Sequence, residues 1–463
     1  MDPELKRDLE ELKKSLHSSN LSTRNRVLSI VKDSDYVNKV KEKYYPEIPV
    51  IPNDRCGRWY VDPKYYEHDL LPSYFKSTDG HTNNWSFSTR RLNLHLLSQI
   101  RERKGIIIVD STRRGKKIPD SFSKTVPIWI AIINKFLIPD ASFDDLFFTP
   151  EETVSEYEHS RILRLLPDFY QNVVKFEDLI KDKILANVEK SEKRKILKPF
   201  WIYPGCRRYP IFAESEEYLP IILLSASEQS QDGENKMFGY TYVQGAGDDH
   251  ELWSRGLSPE IFWSKYEEIT DFINITDHQA DEIIDEIVTN AKQKESVSAN
   301  GNASKFWRSE DIVKVTEILH FGKIDKNLSF KETEIDDAFD FDKVIVLDSS
   351  FNHQVEHEKE QRVFAFDLDS GSKKSSKRLR SVLSDIMELL TGGSDLRKTL
   401  IVCNSGEDLS VAVAICCLNH INGMDKRTIT KETIRRDLIR LMGLRKVNPQ
   451  RATLNAVNAF LMS

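Results

Sequence analysis

Gly105-Ile106-Ile107-Ile108-Val109-Asp110-Ser111-Thr112-Arg113-Arg114-Gly115-Lys116-Lys117 is the stretch whose reading decides the fold. Four consecutive β-branched residues opened by a glycine predict a short strand buried on both faces. The chain then runs through Pro119-Asp120-Ser121-Phe122-Ser123-Lys124-Thr125 into an apolar segment carrying Trp129, which predicts a helix over Lys124 to Phe136. A strand, a polar loop and a helix are the unit of an α/β domain. Open α/β sheets place ligands outside the carboxyl ends of their strands. Hydroxyls, a glycine and four cations at that position suit a polyphosphate, with Asp110, Ser111, Thr112, Arg113, Arg114, Gly115, Lys116, Lys117, Ser123 and Lys124 as candidate ligands. Seven Lys/Arg stand between Arg101 and Lys117 against only Glu102 and Asp110, so anion binding is local although the net charge is -6.

Working outward, Leu5, Leu9, Leu12 and Leu16 predict an amphipathic opening helix, and Ser22 to Lys43 a second, basic one. Pro46 to Gly80 reads as irregular structure. Further strands are expected at Ile221 to Ala226, Phe238 to Gln244, Val344 to Leu347, Val363 to Leu368 and Thr399 to Cys403, with a helix around Arg378 to Leu390 ending at Gly392-Gly393. Thr276-x-x-Gln279 is a capping box before a helix bearing Ile283, Ile284, Ile287 and Val288. Small polar residues after that helix predict a linker at 293–305, between an N-terminal domain, 1–292, and a C-terminal domain, 306–463.

Composition narrows the class. The 463 residues are 39% hydrophobic, enough for packed cores. The longest apolar run, Val411 to Leu418, falls far short of the roughly 20 residues of a membrane span, and Met1 to Leu5 lacks the apolar core of a secretory signal. Five scattered cysteines, Cys56, Cys206, Cys403, Cys416 and Cys417, show neither a disulfide framework nor zinc spacing. A soluble protein in a reducing, cytoplasmic or nuclear setting is expected.

Near the C-terminus, Leu400-Ile-Val-Cys403-Asn-Ser-Gly406-Glu407-Asp408-Leu409-Ser410 is again strand, tight loop and helix start. Cysteine-dependent phosphatases use this arrangement, with a thiolate nucleophile and an arginine six residues on that grips phosphoryl oxygens. Here Leu409 fills the arginine slot, and Glu407 and Asp408 place negative charge in the loop. A buried cysteine and a helix capped by Asp408 or Ser410 is the reading these residues favour. Gly245-Ala-Gly247-Asp248-Asp249-His250-Glu251 echoes the pattern after the strand expected at Phe238 to Gln244, with helix through Trp253. Its acids would hold Mg²⁺, act as a base, or merely cap a helix.

The segment from Tyr74 to Leu92 crowds polar, cationic and aromatic side chains. Lys76 and Arg90 are candidate phosphate ligands, Asp79 and His81 candidate proton carriers, and Trp85 a stacking or packing residue. The basic stretches Lys193 to Lys198, Arg207-Arg208 and Lys373 to Arg380 are candidate RNA-backbone contacts.

Three of these motifs, at 74–87, 110–116 and 245–251, together resemble the initiator-tRNA phosphoribosyltransferase (Rit1) family, and the likeness runs to Asn448-Pro-Gln-Arg451. The resemblance implies a two-domain α/β protein, with an N-terminal transferase domain and a C-terminal dual-specificity-phosphatase-like three-layer α/β domain. It implies transfer of ribose 5-phosphate from phosphoribosyl pyrophosphate, with Mg²⁺, to the 2'-hydroxyl of adenosine 64 in the T stem of cytoplasmic initiator methionine tRNA. That bulky phosphate would exclude the tRNA from elongation. The acidic-pair loop of ordinary phosphoribosyltransferases is absent, so the donor is held otherwise. On this reading Arg113, Arg114, Lys116 and Lys117 take the diphosphate, supported by Lys76, Arg90, Lys124, Gly245 and Gly247. Asp79, His81, Asp248, Asp249 or His250 supplies the base or a metal ligand, and the C-terminal domain, with its Cys403, Gly406, Asp408, Ser410 loop, positions RNA or binds phosphate while the cysteine stays idle. A Cys403-dependent phosphatase and a non-catalytic RNA-binding protein are the competing readings.

Overall fold

The computed structural model describes residues 20–54, 56–66, 70–113, 115–185, 195–213, 217–248, 252–297, 311–324, 330–331, 341–349, 353–354, 362–368, 373–392, 397–424 and 426–463. The predicted helix over Leu5 to Leu16 lies outside them. The chain divides into two compact units, Met1–Lys292 and Gln293–Ser463.

The first unit is built on a four-stranded parallel sheet in the order β1 (Val50–Pro52), β2 (Ile106–Asp110), β4 (Tyr218–Ser225), β3 (Ile196–Ile202). All five residues of β2 are buried, as its unbroken apolar run requires in a covered parallel sheet. Helix α1 (Thr23–Tyr44) is capped by Ser22, whose hydroxyl accepts the Asn25 backbone N–H. Helix α2 (His95–Glu102) leads into β2. Helix α3 (Val126–Leu137) is almost wholly buried, and its Asn134 exchanges two hydrogen bonds of 2.8 and 2.9 Å with the Leu197 backbone, fixing helix against edge strand. One turn of π-helix, Ser121–Thr125, precedes α3, so Lys124 sits in that wide turn rather than opening the helix. Helix α4 (Glu156–Val174) follows.

The structure differs from the sequence reading at several points. The segment read as irregular contains β1. The strand expected at Phe238 to Gln244 forms over β6 (Tyr240–Val243), which pairs antiparallel with β5 (Glu234–Met237), and Phe238 is the exposed tip of that hairpin. Of the helical stretch expected through Trp253, residues 249–251 lie outside the described residues, Leu252 is 3-10 and Trp253 lies in a turn; Pro259–Ser264 is the α-helix that follows. Within the sheets the hairpin ladders only with itself, and its outer edge is met by α1, where the Asn25 side-chain oxygen and the Ser29 hydroxyl accept the Thr241 and Val243 N–H groups at 3.2 and 2.8 Å. The Thr276 capping box forms, with reciprocal hydrogen bonds of 2.9 and 3.3 Å, ahead of α5 (Asp277–Val297), which extends into the residues expected to be linker.

The second unit has a five-stranded sheet in the order β12 (Val363–Phe366), β10 (Lys343–Leu347), β13 (Thr399–Cys403), β8 (Leu319–Lys323), β7 (Ile312–Lys314), antiparallel only at β7. A short parallel pair joins β9 (Phe330–Lys331) to β11 (His353–Gln354). Helices α6 (Lys373–Thr391), α7 (Leu409–Ile421), α8 (Lys431–Met442) and α9 (Arg451–Leu461) share one core with Leu319, Phe321, Ile345, Leu347 and Ile401 of one sheet face. Val344, Val346, Leu400 and Val402 cluster on the other.

Candidate active site

The carboxyl ends of the first sheet converge on a cleft of about 470 Å³ lined by Thr82, Gly115, Lys116, Lys117, Ile118, Asp120, Ser123, Lys124, Glu152, Thr153, Glu158 and Gln229. Its floor is the loop from β2 into α3. That loop is pinned by Ser227, whose hydroxyl accepts the Thr112 N–H at 3.1 Å and donates to the Thr112 carbonyl at 3.0 Å. Gln244 adds a second clamp: its side-chain oxygen accepts the Gly115 N–H at 2.9 Å, and its amide donates to the Lys116 carbonyl at 2.6 Å.

Three lysines and three carboxylates interleave in the cleft. Asp120 meets Lys116 at 2.6 Å and Lys124 at 3.0 Å. Burial pushes its carboxyl up, but hydrogen bonds from both lysines outweigh this and hold it below the usual carboxylate range. Lys117 pairs with Glu152 at 2.6 Å and lies over the Tyr203 ring beyond β3, and the Tyr203 hydroxyl donates to Glu152. Hydrogen bonds from Lys117 and Tyr203 hold the Glu152 carboxyl low. Lys124 is only 6% exposed and also reaches Glu158, at 3.3 Å. The same Glu158 oxygen, Oε1, accepts from the Thr82 hydroxyl at 3.0 Å and the Trp85 indole N–H at 3.2 Å. The segment at 74–87 is thereby joined to the loop after β2, as it is by the Thr125 hydroxyl donating to the Lys76 carbonyl at 2.9 Å.

Several predicted ligands lie elsewhere. Asp110 is 1% exposed and accepts from the Asn53 amide, the Cys56 thiol, the Ser121 hydroxyl and the Ser111 N–H at 2.7–2.9 Å. Burial raises its pKa. With Ser111 and Thr112 also buried, these three residues brace the loop and do not line the cleft. Arg113 pairs with Asp248 at 3.1 Å outside the cleft lining. Gly245 has a positive φ of 67°, and a Cβ there would lie 2.5 Å from Arg113 Cγ, so the segment fits against the loop only as glycine. The Gly247 N–H donates to the Tyr60 hydroxyl at 2.9 Å. Asp79 is half-buried near Arg91 and Lys76; burial raises its pKa. His81 Nε2 stands 3.8 Å from Asp120, and Arg90 is half-buried outside the lining. Arg114, Asp249 and His250 lie outside the described residues.

Sequence reasoning missed Asp120 and Glu158 as site residues. Asp120 is spaced four residues from both Lys116 and Lys124, a readable signal. Glu158 stands three after Ser155, whose hydroxyl accepts its N–H, so in sequence it reads as a helix cap. Among the described residues no group of three or more His, Cys, Asp or Glu stands ready to hold a metal, and each cleft carboxylate is already paired with a lysine.

In the second unit, Cys403 ends β13 fully buried, with Sγ 3.2 Å from the Ser410 hydroxyl. Leu409, in the arginine slot, is 1% exposed in the helix core. Gly406 has a positive φ of 67° against Lys323. Asp408 accepts the Gln450 N–H at 3.0 Å, and the Glu407 carbonyl accepts the Asn448 N–H at 3.0 Å, so the chain before α9 fastens the loop.

The family model described as the Rit1 N-terminal domain matches residues 16–289, and the one described as the Rit1 DUSP-like domain matches 362–461. The chain belongs to the Rit1 family. A family member of Saccharomyces cerevisiae named tRNA A64-2'-O-ribosylphosphate transferase is 36% identical, over 100% of this chain and 96% of its own length. An uncharacterized protein of Schizosaccharomyces pombe is 34% identical over 97% of this chain and 96% of its length. The Yvh1 phosphatase domain from Chaetomium thermophilum is 17% identical and covers 32% of this chain and 92% of its own, with a TM-score of 0.24, too low to support any argument.

Proposed function

We propose that this chain is a tRNA 2'-O-ribosylphosphate transferase, a pentosyltransferase that moves ribose 5-phosphate from phosphoribosyl pyrophosphate to the 2'-hydroxyl of adenosine 64 in initiator methionine tRNA. The observation that carries it is the likeness to the yeast enzyme of that name, which extends over the whole chain. The cleft supports it. Attack at the anomeric carbon passes through an oxocarbenium-like state as diphosphate departs, so the protein must neutralise leaving charge. Lys116, Lys117 and Lys124 provide cations at the carboxyl end of β2, and the hydrogen bonds from Ser227 and Gln244 hold the loop ready before the donor arrives.

Each cleft carboxylate is already paired with a lysine, so Mg²⁺ would be held by the donor's diphosphate, whose leaving charge it would help neutralise. The A-form stem offers shape, phosphates and 2'-hydroxyls rather than base edges. At the rim, the Arg161 guanidinium lies over the Trp85 ring and beside exposed Tyr157, a cationic-aromatic surface suited to that backbone. Five free cysteines accord with a cytoplasmic setting, and among the described residues no helix is long and apolar enough to cross a membrane. The test is incubation of the full chain with labelled phosphoribosyl pyrophosphate and either initiator or elongator tRNA. Label on the initiator alone is expected; label on neither rejects the proposal.

A further inference from the structure

The cleft holds one carboxylate whose arrangement charge neutralisation does not explain. All three donors that reach Glu158 meet the same oxygen: Thr82 at 3.0 Å, Trp85 at 3.2 Å and Lys124 at 3.3 Å all contact Oε1. Among the described residues Oε2 has no partner, although the side chain is only 13% exposed and lines the cleft. A carboxylate meant only to balance Lys124 has no need of a hydroxyl and an indole on the same atom. Three donors on one oxygen fix the plane of the group and leave the other oxygen as an oriented acceptor.

We infer that Glu158 is the general base of the transfer. The inference rests on the functional reading above. The ribose 2'-O–H gives its proton to Glu158 Oε2 while the 2'-oxygen forms a bond to the donor's anomeric carbon. The bond from that carbon to the diphosphate breaks, and the diphosphate leaves with the electron pair. The proton is lost to solvent after product release. Thr82, Trp85 and Lys124 position the group. The other charged side chains lining the cleft are Lys116, Lys117, Asp120 and Glu152, and each of those carboxylates is itself engaged by a lysine. The acids singled out in sequence are less suited: Asp248 is paired with Arg113, Asp79 lies between Arg91 and Lys76, and neither lines the cleft.

Glu158→Gln keeps the shape and an oxygen for Thr82 and Trp85 but cannot take a proton. Full-length variant and wild type would be compared for equilibrium binding of labelled phosphoribosyl pyrophosphate, KM for initiator tRNA, and single-turnover transfer against pH. A fall in turnover of about 100-fold or more is expected, with donor affinity and tRNA KM within about threefold and the acid limb of the pH profile lost. Glu158→Asp is expected to restore part of the rate and the acid limb. Transfer by Glu158→Gln within about tenfold of wild type overturns the inference, as does a loss matched by lost donor affinity with the pH profile unchanged. Failure of the wild type to bind the donor overturns the functional reading itself, a result separable from the other two.

Discussion

The chain contains the strand-to-helix loop of an α/β sheet twice, after β2 and after β13, and the two loops differ in what fills them. Both follow a fully buried strand of a parallel sheet. After β2, a π-helical turn widens the entry to the helix, and three lysines line a cleft against carboxylates from the loop, the Glu152 segment and α4. After β13, Leu409 occupies the core where a phosphate-gripping arginine would project, and Asp408 and Glu407 hydrogen-bond to the chain before α9. The scaffold is common to both, but the first loop presents lysines to a cleft, whereas the second turns Leu409 into the core. A sheet's carboxyl edge is a place for a site, and the side chains of the loop decide whether one is present.

The comparison breaks most sharply at Lys124, which satisfies Asp120 and Glu158 together. Lys124→Ala is expected to cost about 3 kcal/mol, because two mostly buried carboxylates lose their shared cation, and to lower transfer at least about 100-fold. Thermal unfolding and single-turnover assays check both; a variant with wild-type melting would show the cluster to be loose. Next is Leu409→Arg, which restores the phosphatase arginine in sequence. Burying that charge in the apolar core that Leu409 joins is expected to destabilise the second unit by about 4 kcal/mol without producing phosphatase activity. A folded variant that hydrolyses p-nitrophenyl phosphate through Cys403 would show the second loop to be open.

The smallest effect is a pH dependence confined to the second unit. Asp437, on α8, accepts from the Asn419 amide at 2.7 Å, and burial raises its pKa to about 6. The folded form therefore favours the protonated acid. The stability this supplies is full below the usual carboxylate pKa and is lost as pH rises through about 6. Asp437→Asn should remove that loss, stabilising the unit by roughly 1–2 kcal/mol at pH 7.5 and leaving little change at pH 4, as chemical denaturation at the two values would show.

Much of this was legible in sequence because period and punctuation carried it. Ile106 to Asp110 and Thr399 to Cys403 form strands as read, Thr276 caps its helix as read, and the motifs at 74–87, 110–117 and 245–248 meet in one region. What stayed hidden had physical causes. Pro199 disguises β3, which tolerates it as an edge strand lacking one N–H partner. β1 is too short to show a pattern. Asp110 looked like a ligand because it ends a strand beside cations, but four donors turn it inward to brace the loop. Glu158 lies far along the chain from the loop it serves, and no local rule connects them.

Single-turnover transfer of labelled ribose phosphate to initiator tRNA, run side by side on Lys116→Ala/Lys117→Ala and on Cys403→Ser, most directly tests which loop performs the chemistry. Removing the two lysines is expected to slow transfer at least about 100-fold, while the serine variant stays within about twofold of wild type. Full activity without the lysines, or its loss in Cys403→Ser with the fold intact, would contradict the account.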